Sequence, residues 1–436
     1  MTTIARVKLW GRTIGAVSLA VGRETAAFQY DPTFARSRIE VSPVTMPLSN
    51  RVYEFPEIPA RTFHGLPGLL ADSLPDKFGN TLIDSWLATE GRSPESFNAV
   101  ERLCYIGTRG MGALEFAPSE GPKPRRAKRI EIDALVALAS EVLTHRSELQ
   151  ASLAEPAKAD ALRDLLHVGT SAGGARAKAI IAWNPQTNEV RSGQTKAGSG
   201  FQYWLLKFDG VSGNRDKELA DPQGYCAIEY AYSLMAKAAG VAMSECRLLE
   251  ENGRRHFMTR RFDRTEAGEK LHMQSLGALA HYDYNSPGAH AYEQAFLVMR
   301  QLTLPMSATE EQFRRMAFNI IARNQDDHVK NIAFLMDKAG TWSLSPAFDA
   351  TYAYDPENIW LKSHQMTMNG KRDNFTIVDF RECAKSALMK RGRAETIVEE
   401  VRAAVQKWPD FAEQARVTES RLDQIRRNLR LDLPIA

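Results

Sequence analysis

The composition of this chain is that of an ordinary soluble globular protein. It has 436 residues, 44% of them hydrophobic and 25% charged, and its formal net charge of +3 is too small to indicate nucleic-acid binding. It contains no apolar run long enough to span a bilayer, and its N-terminal residues lack the apolar core of a signal peptide, which argues against a membrane or exported protein.

The first hundred residues are predicted to be rich in β-strands. Val7–Val17 reads as a β-hairpin and Thr25–Tyr30 as a further strand. Leu66–Trp86 is predicted to be helical in pieces, interrupted by Pro75 and Gly79.

A closing pair of strands and a linker follow. Cys104–Gly107 and Met111–Phe116 are predicted to be the strands, and Gly121–Arg129 is a basic run broken by prolines. Such a run is usually a solvated connector, with a nucleic-acid contact as the alternative. It predicts a domain boundary, so that residues 1–122 form a β-rich N-terminal subdomain.

The rest of the chain is predicted to form two more domains, at residues 123–265 and 266–436. The second domain is predicted to contain a helix at Ile132–Leu143, a small-residue loop at Gly169–Lys178, strands at Ile180–Trp183 and Tyr203–Phe208, a helix at Tyr225–Ala239 and a hairpin at Leu248–Arg261. The third is predicted to be mainly helical, with a helix at Phe313–Arg323, a polar turn at Asn324–Asn331, strands at Ile332–Met336 and Thr341–Leu344, and final helices at about Glu395–Trp408 and Phe411–Leu429.

The cysteines indicate a reducing compartment. Cys104, Cys226, Cys246 and Cys383 are widely scattered and form no Cys-x-x-Cys pair. This argues against a zinc site and for reduced core thiols, so we expect a cytoplasmic protein.

The polar turn between a predicted helix and a predicted strand carries the strongest chemical signal. Asp326 and Asn331 stand in the Asp-x-x-x-x-Asn spacing of the protein-kinase catalytic loop. There the aspartate accepts the proton of the substrate hydroxyl, and the asparagine holds Mg²⁺ against the nucleotide phosphates. The alternative is a helix C-terminus followed by an ordinary polar turn.

Two features upstream could bind the phosphates of a nucleotide. The small residues of Gly169–Lys178 allow backbone N–H groups to approach phosphate oxygens, although a surface loop is the alternative. Lys207 is the only charged residue of an apolar strand, so it either extends to solvent or pairs with an anion. In kinases a strand lysine contacts phosphates and pairs with a helix glutamate, and Glu229 lies in the following helix.

A further carboxylate follows the catalytic turn. Asp349 comes just after the predicted strand pair, where kinases place their second metal-binding aspartate. These features therefore occur in the order found in a protein-kinase-like phosphotransferase: a phosphate-binding loop, a strand with a lysine, a helix with a glutamate, the catalytic turn, a hairpin and an aspartate.

These segments resemble the HipA toxins, bacterial serine/threonine kinases of toxin–antitoxin pairs, over nearly the whole length. The most specific block is Asp-x-His-x-Lys-Asn. The segments that carry the resemblance are Ser171–Lys178, Leu206-Lys207, Arg261–Arg264, Asp326–Asn331 and Ser345–Asp349. The resemblance implies an α+β, two-lobed protein-kinase-like (PI3/4-kinase-like) fold, with the β-rich N-terminal subdomain followed by a kinase N-lobe and a mainly α-helical C-terminal lobe.

The resemblance also assigns roles to residues. It implies Asp326 as the catalytic base, supported by His328 and Lys330, and Asn331 and Asp349 as Mg²⁺ ligands. The residues that it implies around ATP are Ser171, Ala172, Gly173, Gly174, Lys178, Lys207, Glu229, Arg261, Phe262 and Asp263.

The resemblance further implies regulation by autophosphorylation of the small-residue loop. Ser171 matches the phosphorylated serine, and a phosphate there would repel the phosphates of ATP. The neighbouring Thr170 leaves the phosphosite open. The sequence departs from the family's best-known members in this loop, with Arg176-Ala177-Lys178 where they have Gln-Glu-Lys.

Partners and target come from the resemblance alone. It implies a helix-turn-helix antitoxin like HipB, operator DNA bound only through that antitoxin, and an aminoacyl-tRNA synthetase or other translation component as substrate, with growth arrest and persistence as the outcome. Two alternatives stay open: a small-molecule kinase of the same fold, and a catalytically idle corepressor bound to the antitoxin.

Overall fold

The computed structural model of the protein describes residues 2–75, 77–121, 130–144, 165–166, 168–169, 176–194, 197–211 and 224–434. Two compact units are present. The N-terminal unit comprises residues 1–38, 48–226 and 245–273, and the C-terminal unit comprises residues 39–47, 227–244 and 274–436. The expected division at residues 122 and 265 stays a prediction. Residues 122–129 of the predicted linker, which begins at Gly121, lie outside the described residues. Within the described part of the chain, no helix combines the length and the apolar character that a membrane span needs.

Helices and strands both contribute substantially, which confirms the α+β class. The described strands are β1 Thr3–Leu9, β2 Arg12–Leu19, β3 Ala27–Tyr30, β4 Val52–Tyr53, β5 Leu114–Ala117, β6 Lys178–Trp183, β7 Val190–Ser192, β8 Gln202–Lys207, β9 Cys246–Glu251, β10 Arg254–Arg260, β11 His272–Ser275, β12 Ala333–Met336 and β13 Trp342–Leu344. The described α-helices are α1 Ala60–Phe63, α2 Gly68–Ala71, α3 Lys77–Thr89, α4 Ala99–Ile106, α5 Ile132–Thr144, α6 Tyr225–Ala238, α7 Leu276–Ala280, α8 Tyr292–Gln301, α9 Met306–Ile321, α10 Ile377–Ser386, α11 Arg393–Val405, α12 Trp408–Gln414 and α13 Glu419–Asn428.

The first sheet of the N-terminal unit contains five antiparallel strands in the order β4-β3-β2-β1-β5. Its centre is the β1–β2 hairpin, which confirms the hairpin predicted at Val7–Val17. Trp10 and Gly11 turn the chain with φ of 49° and 81°. The alternation of buried and exposed residues along β1 places Ala5, Val7 and Leu9 in the core.

Two predictions for this unit are wrong. Residues 104–106 are the end of α4 rather than a strand, because Asn98 and Glu101 form a capping box that starts a helix. Gly79 does not interrupt α3. A glycine costs a helix only about 1 kcal/mol, and the burial of Phe78 and Leu82 on this helix offsets that cost.

The second sheet of the N-terminal unit has the order β7-β6-β8-β10-β9. It confirms the strands predicted near Ile180–Trp183 and Tyr203–Phe208 and the hairpin of β9 and β10. Asn252 and Gly253 join that hairpin with φ of 47° and 77°, the positive values that a tight two-residue hairpin turn requires. Side chains of α3 and α5 share one apolar core with this sheet.

A buried histidine in this sheet gives a prediction on stability. His256 is fully buried and accepts a hydrogen bond at Nδ1 from the backbone N–H of Asp209, at 3.0 Å. Burial lowers the pKa of His256 from 6.5 to about 4. Between these pH values the unfolded chain binds a proton that the folded protein does not, so we expect stability to fall as the pH drops through this window, by up to about 3 kcal/mol.

The replacement His256→Gln tests this contribution, since glutamine keeps a hydrogen-bond acceptor but does not titrate. The free energy of unfolding in urea, measured at pH 7 and pH 5, should fall less in the variant than in the wild-type protein. Equal losses in both proteins would show that His256 does not cause the pH dependence.

The C-terminal unit is mainly helical. α9 and α11 pack against each other in its core, and β12 and β13 form an antiparallel hairpin. The sequence predicts two final helices, whereas the structure contains three, α11, α12 and α13. Pro409 stands in the first turn of α12, where proline is favoured, and it could not continue a preceding helix. Arg416 then ends α12 with φ of 52°.

Candidate active site

The predicted catalytic turn directly follows α9. The helix ends at Ile321, and Arg323 reverses the chain with φ of 58°. The backbone N–H of Gln325 donates to the carbonyl of Ala353 at 3.1 Å, and the N–H of Ala353 donates to the carbonyl of Arg323 at 3.0 Å. These two hydrogen bonds fix the start of the turn to the segment that follows Asp349.

Asp326 and Asn331 are connected at the two ends of the turn. The side-chain nitrogen of Asn331 donates to the backbone carbonyl of Asp326 at 2.8 Å. The carboxylate of Asp326 is half exposed, and its Oδ1 lies 3.7 Å from Nε2 of His328. The turn therefore presents one carboxylate to solvent, and it leaves the amide oxygen of Asn331 as the group that can bind a cation.

The second acid of the turn has a different environment. Asp327 is fully buried and accepts hydrogen bonds from Oη of Tyr292 at 2.7 Å, from the ring of His364 at 2.8 Å and from the backbone N–H of Gln365 at 2.7 Å. Burial raises the pKa of Tyr292 well above its usual value, and Asp327 raises it further, so the hydroxyl stays protonated and donates. The side chain of Asp327 therefore anchors the turn and is closed off from solvent.

Asp349 is held at the end of the segment after the β12–β13 hairpin. The N–H of Ala347 donates to the carbonyl of Ala242 at 2.8 Å, and Arg315 donates to the carbonyl of Ser345 at 2.8 Å. Asp349 itself has φ of 56°. A residue other than glycine in this left-handed region costs free energy, and such positions cluster at functional sites.

Asn331 and Asp349 line the same cavity, of about 30 Å³. His328, Asn324 and Tyr292 line it as well. An amide oxygen and a carboxylate are ligands that Mg²⁺ prefers, and Mg²⁺ in kinases takes its remaining ligands from phosphates and water. The residues therefore fit such an ion, although no group of three or more His, Cys, Asp or Glu residues able to hold a metal occurs in the part of the chain that the structure describes.

Lys330 and His328 lie beside an aromatic ring. Nζ of Lys330 is 4.9 Å from the ring centre of Tyr284, and the rings of Tyr284 and His328 are 5.8 Å apart. A lysine over an aromatic face is held by the ring quadrupole. Tyr284 was not predicted from the sequence, because it lies more than forty residues before His328 and Lys330 and no motif connects it to them.

Two buried lysines face each other in the N-terminal unit. Lys178 of β6 is paired with Lys207 of β8, and they are 3% and 7% exposed. Two ammonium groups on neighbouring strands concentrate positive charge at one place, which is suited to binding an anion. Residues 170–175, which include the predicted contacts Ser171 to Gly174, lie outside the described residues.

The other predicted nucleotide contacts differ in how far they are buried. Glu229 lies in α6, in the C-terminal unit, with 1% of its surface exposed, and its pairing with Lys207 stays a prediction. Phe262 is only partly buried, and its contact with ATP also stays a prediction.

Asp263 forms the centre of a buried charge cluster. It accepts from Nη2 of Arg261 at 2.7 Å and from Nη1 of Arg264 at 2.8 Å, and also from the backbone N–H of Gly112 at 2.7 Å. Burial opposes its ionisation, but the two guanidinium groups outweigh burial and hold the pKa of Asp263 well below its usual range. The cluster joins the end of β10 to the loop before β5, and a role of Arg261 and Asp263 toward ATP stays a prediction.

Comparison with models of known families shows which family this chain belongs to. Residues 170–408 match the family model of the HipA-like C-terminal domain, which is more than half of the chain. The chain belongs to the HipA family. Residues 5–117 match the HipA N-terminal domain as well, so the family likeness includes the β1–β5 sheet. None of the curated protein sequences matches the chain.

Two solved structures were compared with the chain, and the HipA structure supports the fold. HipA of the toxin–antitoxin system of Shewanella oneidensis MR-1, solved with HipB and its operator DNA, has a TM-score of 0.68 and 15% identity, covering 97% of this chain and 95% of that chain. The proinflammatory kinase CtkA of Helicobacter pylori has a TM-score of 0.34 and 13% identity, covering 52% of this chain and 88% of that chain. The HipA likeness shows the fold, and the CtkA likeness is too low to support an argument.

In this HipA-family chain the structure brings some predicted site residues together. His328, Asn331 and Asp349 line one cavity, and Asp326 is the exposed acid of the same turn. Lys178 and Lys207 are neighbours across two strands. Asp263 belongs to a separate buried cluster. The sequence did not predict the residues that contact Asp327, which are Tyr292, His364 and Gln365.

Proposed function

We propose that this HipA-family protein is an ATP- and Mg²⁺-dependent serine/threonine protein kinase with a two-lobed, protein-kinase-like fold. The observation that supports it most is that Asn331 and Asp349 line one cavity while the same turn leaves Asp326 half exposed. A base, a metal-binding amide and a metal-binding carboxylate are the parts that phosphoryl transfer requires. The opposed lysines supply positive charge for the phosphates.

Each residue has a distinct task in the proposed reaction. Asp326 accepts the proton of a serine or threonine hydroxyl while that oxygen forms a bond to the γ-phosphorus of ATP and the bond to the β-phosphate oxygen breaks, releasing ADP. Lys178 and Lys207 hold the phosphates, and Lys330 neutralises the transferred group. Asn331 and Asp349 would hold Mg²⁺, which, when bound, neutralises charge on the phosphates.

The proposed biological setting is a toxin–antitoxin pair. The HipA of Shewanella oneidensis MR-1 was solved with HipB and operator DNA, and we infer a HipB-like, helix-turn-helix antitoxin for this chain, with DNA bound only through that complex. An aminoacyl-tRNA synthetase or another translation component is the proposed target, and growth arrest the proposed effect.

The test is transfer of phosphate to proteins of a bacterial lysate. The purified protein with ATP and Mg²⁺ should add phosphate to serine or threonine of one or a few proteins, identified by mass spectrometry. Chelation of Mg²⁺, or the replacement Asp349→Asn, should bring the signal to background. Consumption of ATP with a phosphorylated metabolite and no labelled protein would support a small-molecule kinase instead. Growth arrest retained by Asp349→Asn would support an idle corepressor.

Autophosphorylation of the small-residue loop gives a second prediction. We expect incubation with ATP and Mg²⁺ to add one phosphate at Ser171 or Thr170, and ATP affinity to fall afterwards because the new phosphate repels the nucleotide. Mass spectrometry of the wild-type protein, Ser171→Ala and Thr170→Val distinguishes the two positions. Full incorporation of phosphate in a variant that carries both replacements would place the phosphate elsewhere and contradict the proposed regulation.

A further inference from the structure

A chain of buried and partly buried hydrogen bonds connects the C-terminal segment of the protein to the turn that carries Asp326. We infer that His364 and Arg430 are positioning residues, which fix the turn through Asp327. The inference rests on the proposed function in so far as the turn is catalytic. Neither residue belongs to a segment that indicated function in the sequence.

The first link is between His364 and Asp327. Nδ1 of His364 is 2.8 Å from Oδ2 of Asp327, and both side chains are fully buried. The next residue adds a second contact, since the backbone N–H of Gln365 donates to Oδ1 of Asp327 at 2.7 Å. Residues 364 and 365 therefore contact both carboxylate oxygens of Asp327, the residue that directly follows Asp326.

The second link determines which ring nitrogen of His364 carries the proton. Nη1 of Arg430 lies 2.8 Å from Nε2 of His364. A guanidinium group only donates hydrogen bonds, so Nε2 must accept and the proton must be on Nδ1. The Nδ1–H of a neutral His364 then points at Asp327. Arg430 thus selects the tautomer that makes His364 a donor to the turn.

Arg430 is itself anchored at the helix that leads into the turn. Its backbone N–H donates to the carbonyl of Ile321 at 2.9 Å, and its Nη1 also donates to the carbonyl of Ile320 at 3.0 Å. Its Nη2 donates to Asp373. These carbonyls lie in the last turn of α9, where they have no helical partner. Arg430 therefore contacts the end of α9 and, through His364, the turn after it.

This arrangement predicts an effect on turnover that differs from a loss of folding. Without the donor from His364, Asp327 would lose one of its three fixed contacts, and Asp326 would shift relative to a bound hydroxyl. A displacement of about 1 Å can lower a rate about 100-fold. Affinity for the nucleotide in the absence of Mg²⁺ should change little, because the lysines proposed to hold the phosphates lie on β6 and β8.

The kinetic experiment compares His364→Leu with His364→Asn. Asparagine places an N–H donor where Nδ1 of histidine stands, and leucine does not. We expect kcat to fall on the order of 100-fold in His364→Leu and to stay within about tenfold of wild type in His364→Asn, with the Kd for ATP measured without Mg²⁺ unchanged in both. Equal kcat values in the two variants, or a parallel loss of ATP binding, would contradict the positioning role.

A spectroscopic experiment tests the tautomer without any activity. In wild-type protein labelled with ¹⁵N-histidine, His364 should show a protonated Nδ1 and an unprotonated Nε2. The variant Arg430→Met should lose this preference while His256, in the other unit, keeps its own signals. A protonated Nε2 in the wild type would overturn the inference. If the tautomer is as expected but the wild type transfers no phosphate, the proposed function fails and the hydrogen-bond chain stands.

Discussion

Replacing Asp326 with asparagine is expected to lower kcat for phosphoryl transfer by about 10²–10⁴-fold. Asparagine has nearly the same shape as aspartate but cannot accept the hydroxyl proton. The backbone carbonyl of Asp326 still accepts from Asn331, so the turn should keep its conformation. The Kd for ATP should therefore stay close to that of the wild type, and the loss should appear in kcat alone.

The matched control is Asp337→Asn in the same unit. Asp337 is exposed in the turn between β12 and β13, where its Oδ1 accepts from the backbone N–H groups of Ala339 and Thr341. Asparagine can keep both contacts, so kcat should be that of the wild type. Initial rates with radiolabelled ATP measure both variants. A kcat for Asp326→Asn equal to the control would remove Asp326 as the base.

Replacing Asp263 with alanine is expected to lower the free energy of unfolding by about 3–5 kcal/mol. Arg261 and Arg264 are 1% and 7% exposed in their side chains and share this carboxylate. Without it, two like charges stay buried next to each other, and the backbone N–H of Gly112 loses its acceptor. Urea unfolding at pH 7 measures the change.

The control for this prediction is a similar ion pair near the surface. Asp84 accepts from Arg102 at 2.9 Å with 37% of its side chain exposed. The pair lies near the surface, where water can solvate the guanidinium group that Asp84→Ala leaves, so the loss should be about 1 kcal/mol or less. A loss in Asp263→Ala no larger than that in Asp84→Ala would show that the buried cluster does not stabilise the N-terminal unit.

Local signals in the sequence predicted most of the elements. The hairpin at Asn252-Gly253 was predictable because its turn residues favour the φ values that the turn needs. Residues 104–106 were misread because their side chains suit a strand as well as a buried helix. The deciding contact is the capping box of Asn98 and Glu101, which precedes the segment.

The candidate site was predictable only where it follows a continuous motif. The spacing of Asp326 and Asn331 indicated the turn, and Asp349 followed from its position after a hairpin. The contacts that distinguish Asp327 from Asp326 come from Tyr292 and His364, each more than thirty residues away. Such contacts depend on how helices pack, and a single sequence contains no signal for them.

The hydrogen bond from Asn331 to the carbonyl of Asp326 explains the choice of side chain at position 331. Aspartate would attract a divalent cation more strongly, but it has no N–H to donate to that carbonyl. Lysine could donate but could not bind a cation. Among the side chains of this length, only the amide of asparagine offers a donor on one side and an oxygen on the other. The two ends of the turn are therefore locked together by the same group that is proposed to bind the metal, and replacement by aspartate or lysine would keep only one of the two functions.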